Sequence, residues 1–112
     1  MTGEIIAEIA KALSEPKRVD ILESLQQTAV QCDDYQCCDL SEKCCNVGDL
    51  SSKLDLAIST TSYHLRELRR AGLVKTSKRG TQVFVELDFG TFHDLGEYFI
   101  SFLDILKAKQ KE

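Results

Sequence analysis

No stretch of this 112-residue chain approaches the roughly 20 consecutive apolar residues that a membrane-spanning helix requires, because Glu, Asp or Lys interrupts each apolar run. The first ten residues hold acids and no base, so the basic segment that opens a secretory signal peptide is missing. The expected location is the cytoplasm, with no membrane partner. No Cys-x-x-Cys redox motif, no glycine-rich phosphate loop and no paired nucleophile and base can be found, which argues against an enzyme. What remains is ordinary for a folded protein: 43% hydrophobic and 29% charged residues, in a length that suits one domain over residues 1–112.

A net charge of -4 would disfavour nucleic acid if it were spread evenly, and it is not. Between Lys53 and Gln82 stand seven bases (Lys53, Arg66, Arg69, Arg70, Lys75, Lys78, Arg79) against the acids Asp55 and Glu67, a local charge of +5 that leaves -9 for the remainder. A basic segment in an acidic frame is the footprint of a surface meant for phosphates.

Hydrophobic spacing divides the chain into five helices and a hairpin. Ile5, Ile6, Ile9 and Leu13 recur at helical intervals after Thr2, a suitable N-cap, giving a helix that ends near Leu13. Ser14 is expected to cap a second helix with Pro16 in its first turn, with Val19, Leu22 and Leu25 buried and an end near Gln27. Asn46 can cap a short third helix, where Asp49 complements the positive end and Val47, Leu50 and Leu54 face inward. Asp55 and Leu56 form a turn. Ser59 opens a fourth helix through Arg70, in which Ile58, Leu65 and Leu68 are expected inside and Ser59, Thr60, Tyr63, Arg66 and Arg70 outside. Gly72 ends it. Val74–Ser77 and Gln82–Leu87 read as strands joined through Lys78, Arg79, Gly80 and Thr81. A last helix over residues 91–110 carries Phe92, Leu95, Phe99, Phe102, Leu103 and Leu106, an apolar face wider than one small subunit needs, and so predicts a partner subunit.

The fold class expected is therefore mainly α with a small β-hairpin: a dimeric winged helix-turn-helix. Residues 47–70 supply the helix-turn-helix, 74–87 the wing, and 1–13 with 91–110 the dimerisation helices. Small hydroxyl residues at the start of the fourth helix let it sink into a major groove, and the basic hairpin can lie along the flanking backbone. The DNA-contact candidates are Ser59, Thr60, Thr61, Tyr63, His64, Arg66 and Arg70 on the helix and Lys78 and Arg79 on the wing. For His64, phosphate contact or a structural role is favoured over metal ligation. His93 and Asp94, without a second histidine nearby, do not make a metal site.

Several fragments in order carry a family resemblance. Leu13 to Arg18 followed by Ile21-Leu22, Val47 to Leu50, Ser62 to Val74, and Arg79-Gly80 together resemble the ArsR/SmtB family of winged-helix repressors across most of the chain. The resemblance implies a homodimer, held by its first and last helices, that binds double-stranded operator DNA at a pseudo-palindromic inverted repeat and represses its own operon.

All five cysteines, Cys32, Cys37, Cys38, Cys44 and Cys45, fall within fourteen consecutive positions. Such clustering in a cytosolic protein points to metal or thiol chemistry rather than to a disulfide framework. Asp33, Asp34, Asp39 and Glu42 against Lys43 attract cations, and metal binding would deprotonate the thiols outright. With no histidine inside the 31–45 loop, the donors suit a soft thiophilic metal or metalloid acting as effector: arsenite or antimonite, cadmium, mercury, copper(I) or zinc. One cysteine from each adjacent pair plus Cys32 would supply three thiolates. The resembled family places its familiar cysteines inside the start of the third helix, where this chain has Asn46 and Gly48, so ligand identity does not transfer. A thiol redox switch, and a structural zinc or iron-sulfur site in a constitutive DNA-binding protein, stay open as alternatives.

Overall fold

The computed structural model describes residues 1–31 and 46–110. Thr2 takes the extended conformation of an N-cap and its hydroxyl accepts the amide of Ile5 at 3.3 Å, starting α1 (Gly3–Ala12). α2 (Pro16–Gln31) runs four residues past the expected stop at Gln27. Ser14 does not cap it. Its hydroxyl donates back to the Lys11 carbonyl at 2.7 Å, which also accepts the Ser14 amide at 3.2 Å, closing the end of α1 instead. α3 (Val47–Leu54) begins on Asn46, whose side-chain oxygen accepts the Asp49 amide at 2.7 Å.

The link from α3 to α4 (Ile58–Arg70) is a Schellman-type turn. Asp55 occupies the left-handed region at φ 54°, a conformation Asp tolerates, and the Leu56 amide reaches back to the Ser51 carbonyl at 3.0 Å. α4 ends the same way on Gly72 at φ +81°, with the Leu73 amide donating to the Leu68 carbonyl. A side chain there would be strained by φ, and its Cβ would also press within 3.3 Å of Thr91 Oγ1. β1 (Val74–Arg79) and β2 (Gln82–Leu87) pair antiparallel from Val74 with Leu87 to Arg79 with Gln82. The ladder is longer than its β-branched residues suggest, so Lys78 and Arg79 belong to the strand and only Gly80 and Thr81 turn. Gly80, at φ +63°, sits at the first central position that a type II′ hairpin reserves for glycine. Asn46 adds an isolated bridge to Phe84 on β2.

One core joins these elements. Ile9 and Ala12 of α1, Ile21 and Leu25 of α2, Leu50 of α3, and Leu65 and Leu68 of α4 meet Leu73, Val74 and Val85 at the base of the hairpin. Among the described side chains of α2 the fully buried one is Ile21, while Val19 and Leu22 are only partly covered. Asp88 starts α5 (Phe89–Gln110) by accepting the Thr91 amide on its side chain. α5 is 22 residues long and contains no buried residue, and only Phe92 and Leu95 of its apolar side chains pack against the core.

Candidate nucleic-acid interface

α4 has an inner and an outer face set by its own periodicity. Thr61, His64, Leu65 and Leu68 are buried at intervals of three and four, and the opposite arc exposes Ser59, Ser62, Tyr63, Arg66 and Arg70. The structure therefore places Ser59, Thr60, Tyr63, Arg66 and Arg70 on the solvent side, as their spacing requires, with Tyr63 48% exposed.

Two residues expected among the DNA contacts are turned away from that face. Thr61 is 0% exposed and donates its hydroxyl to the Ala57 carbonyl one turn back at 3.2 Å. Its position four before Leu65 and seven before Leu68 was the signal for burial. His64 is 8% exposed, and its Nδ1 accepts the Nε proton of Arg18 at 3.3 Å. Ile58 departs in the other direction: expected inside, it is 61% exposed at the first turn.

Arg18 of α2, absent from the candidate residues, supports the outer face from below. Besides holding His64 it donates to the Ala12 carbonyl at 3.4 Å, and its guanidinium lies 5.6 Å from the centre of the Tyr63 ring. The Tyr63 and His64 rings meet at 5.5 Å in a tilted pair. A cation over an aromatic face, anchored by two hydrogen bonds, restricts the ring that α4 presents to solvent. Arg70 is engaged by Glu67 at 3.4 Å, an exposed pair of small energetic weight that a phosphate can displace.

The wing stands beside this face. Lys78 and Arg79 are exposed near the hairpin tip, and Arg79 lies 5.2 Å from the centre of the buried Phe84 ring. Arg69 of α4 donates to Thr76 Oγ1 at 3.4 Å, tying helix to wing. Ser62 and Arg69, which are not among the candidates named by spacing and charge, line the groove between the two together with Arg66. The result is an outer helix face carrying hydroxyls, a phenol and guanidiniums, flanked by a basic hairpin.

The cysteines Cys32, Cys37, Cys38, Cys44 and Cys45 lie outside the described residues. Among the described residues no three His, Cys, Asp or Glu side chains converge as a metal site. His93 reaches Asp94 at 3.5 Å and Glu97 at 4.0 Å on the exposed surface of α5. No helix among the described residues is long and apolar enough to cross a membrane.

Comparison with known proteins follows the same outline. A helix-turn-helix domain family model matches residues 13–77. The HTH-type transcriptional regulator YceK of Bacillus subtilis is 33% identical over 103 residues, spanning 92% of this chain and 87% of the relative. The transcriptional activator HlyU of Vibrio cholerae is 37% identical over 79 residues, 70% of this chain and 59% of the relative. Among solved structures, the homodimeric winged helix-turn-helix DNA-binding domain Mb0332 from Mycobacterium bovis, a possible ArsR-family regulator, superposes with a TM-score of 0.63 at 21% identity. That match covers 90% of this chain and 80% of the other.

Proposed function

The chain belongs to the ArsR/SmtB family of winged helix-turn-helix transcriptional regulators, and from that premise we propose that it binds operator DNA as a homodimer and represses until a thiophilic ligand releases it. The observation that carries the DNA reading is the outer arc of α4, where Ser59, Tyr63 and Arg66 share one face beside the exposed Lys78 and Arg79 of the wing. α4 enters the major groove, where short hydroxyls and the Tyr63 phenol reach base edges, while Arg70 and the wing cations meet phosphates. The apolar surface of α5, exposed in the single chain at Phe99, Phe102 and Leu103, meets its copy about a two-fold axis. The operator is then an inverted repeat with half-sites about one helical turn apart.

Release is assigned to the cysteines. Five thiols without histidine form a donor set that suits a soft cation or metalloid, and such a ligand would hold them as thiolates. The cysteine segment joins the end of α2 to Asn46, and Asn46 both caps α3 and bridges to β2. Drawing the sulfurs together pulls on the helix that supports α4 and on the wing strand at once. A coupling of about 1 to 3 kcal/mol would lower operator affinity about five- to 150-fold, and DNA would weaken ligand binding by the same factor.

The test is an operator-binding titration of the reduced protein with arsenite, antimonite, cadmium, mercury, zinc and an oxidant, repeated with each cysteine replaced by Ser. Release by one class of thiophilic ion, abolished in about three of the five variants, supports the sensor. Release by oxidant alone replaces it with a redox switch. Unchanged affinity throughout, with cysteine replacement lowering only thermal stability, leaves a structural site. Run-off transcription from the bound promoter separates repression from activation, the sense in which HlyU is named.

A further inference from the structure

The most exposed large apolar side chain in the helix-turn-helix is Ile58, 61% accessible at the first residue of α4. An isoleucine in that place gains nothing for the isolated fold. It is β-branched, it makes no cap, and Ala57 before it offers no side-chain cap either. Ile58 instead lines an open cleft of about 350 Å³ with Val47 and Gly48 of α3 and Ser62, Gln82 and Val83, a lining of mixed apolar and polar side chains. The surrounding segment is the basic part of the chain, net +5 from Lys53 to Gln82, and Arg66 and Arg69 stand in the adjoining groove. That charge suits an anionic partner, and a DNA major groove flanked by phosphates is one. The apolar group displayed in a major groove is the 5-methyl of thymine, which aliphatic side chains contact at the leading turn of a reading helix.

We propose that Ile58 is a specificity residue that packs against a thymine methyl in each half-site. The inference rests on the DNA-binding reading above and adds a base preference to it. Gly48 lines the same cleft, and a Cβ there would lie 3.3 Å from Asn46 Oδ1, the oxygen that caps α3.

Deoxyuridine differs from thymidine only by the missing methyl, so it tests this contact alone. A duplex enriched by the protein from a random pool is prepared with each thymine replaced in turn, and binding is measured for the wild type and for Ile58→Ala. One thymine per half-site is expected to matter to the wild type, with a loss of about fourfold per methyl, the worth of one buried methyl group. Ile58→Ala should bind the thymine duplex at least that much more weakly and be indifferent to uracil at that position. Its thermal midpoint and its salt dependence should match the wild type. Equal weakening of Ile58→Ala on all duplexes, or a uracil effect that survives the substitution, overturns the contact. A marked fall in the thermal midpoint shows that protein, including other segments of this chain, covers Ile58 and overturns it as well. Enrichment of no duplex at all refutes the DNA-binding reading itself and the contact with it, an outcome distinct from a missing methyl effect.

Discussion

α4 and α5 both carry alternating apolar and polar residues, yet they complete their packing in different places. The inner face of α4 closes within its own chain, with Leu65 and Leu68 buried against the core, and what it leaves outside is largely hydroxyl, phenol and guanidinium. α5 leaves outside Phe99, Ile100, Phe102, Leu103, Ile105 and Leu106, with no buried residue in 22. Large contiguous apolar surface is unusual on a monomer, whereas a polar face on a covered helix is not. On the function proposed above, exposure therefore means different things on the two helices: on α4 it is a face offered to DNA, on α5 a face offered to a second copy.

The largest effect is expected in the core of α4. Leu68→Ala should cost about 2–5 kcal/mol of folding stability, read by urea denaturation as a shift in midpoint that a protomer-internal site gives even under conditions where the subunits stay associated. Leu103→Asp on α5 should act through association instead, by about 2 kcal/mol or more of dimer affinity. Sedimentation at micromolar concentration should then show monomer, and operator affinity should fall by at least about tenfold. If Leu103→Asp remained dimeric, the interface would lie elsewhere and the two helices would no longer differ in kind.

On the polar side the expected effects are smaller and their kinds differ. Arg79→Ala should weaken all DNA sequences alike and lower the slope of log affinity against log salt by about 1 for each phosphate that the guanidinium neutralises. Tyr63→Phe and Thr60→Ala should change base preference while leaving that slope in place. An unaltered slope for Arg79→Ala would remove the wing from the interface. The smallest change is Asn46→Ala, about 1 kcal/mol for a missing helix cap. It separates the DNA-facing half from α5 because the same residue also bridges to the wing strand at Phe84, so hydrogen exchange should rise in β2 and at the start of α3 while α5 is unaffected.

Elements were legible wherever a signal is local. Thr2 and Asn46 cap the helices they precede, Gly72 ends α4, and Gln82–Leu87 is a strand with the bounds its β-branched and aromatic residues suggest. These outcomes depend on hydrogen bonds and dihedral preferences within three or four residues, which composition encodes directly. The inner face of α4 is also encoded, since Thr61 falls in register with Leu65 and Leu68, and its hydroxyl bonds within the helix rather than facing outward.

What composition could not settle is where a side chain finds its partner across elements. The role of His64 was decided by Arg18, 46 residues away in sequence and 3.3 Å away in space. Ile58 lies outside although it stands three residues before the buried Thr61, so helical register alone does not cover it. The helices, the hairpin and the clustering of positive charge were written into the chain itself, because each depends on neighbours in sequence. Which hydroxyl, ring and isoleucine face outward was settled by the fold, because burial depends on elements that approach from elsewhere.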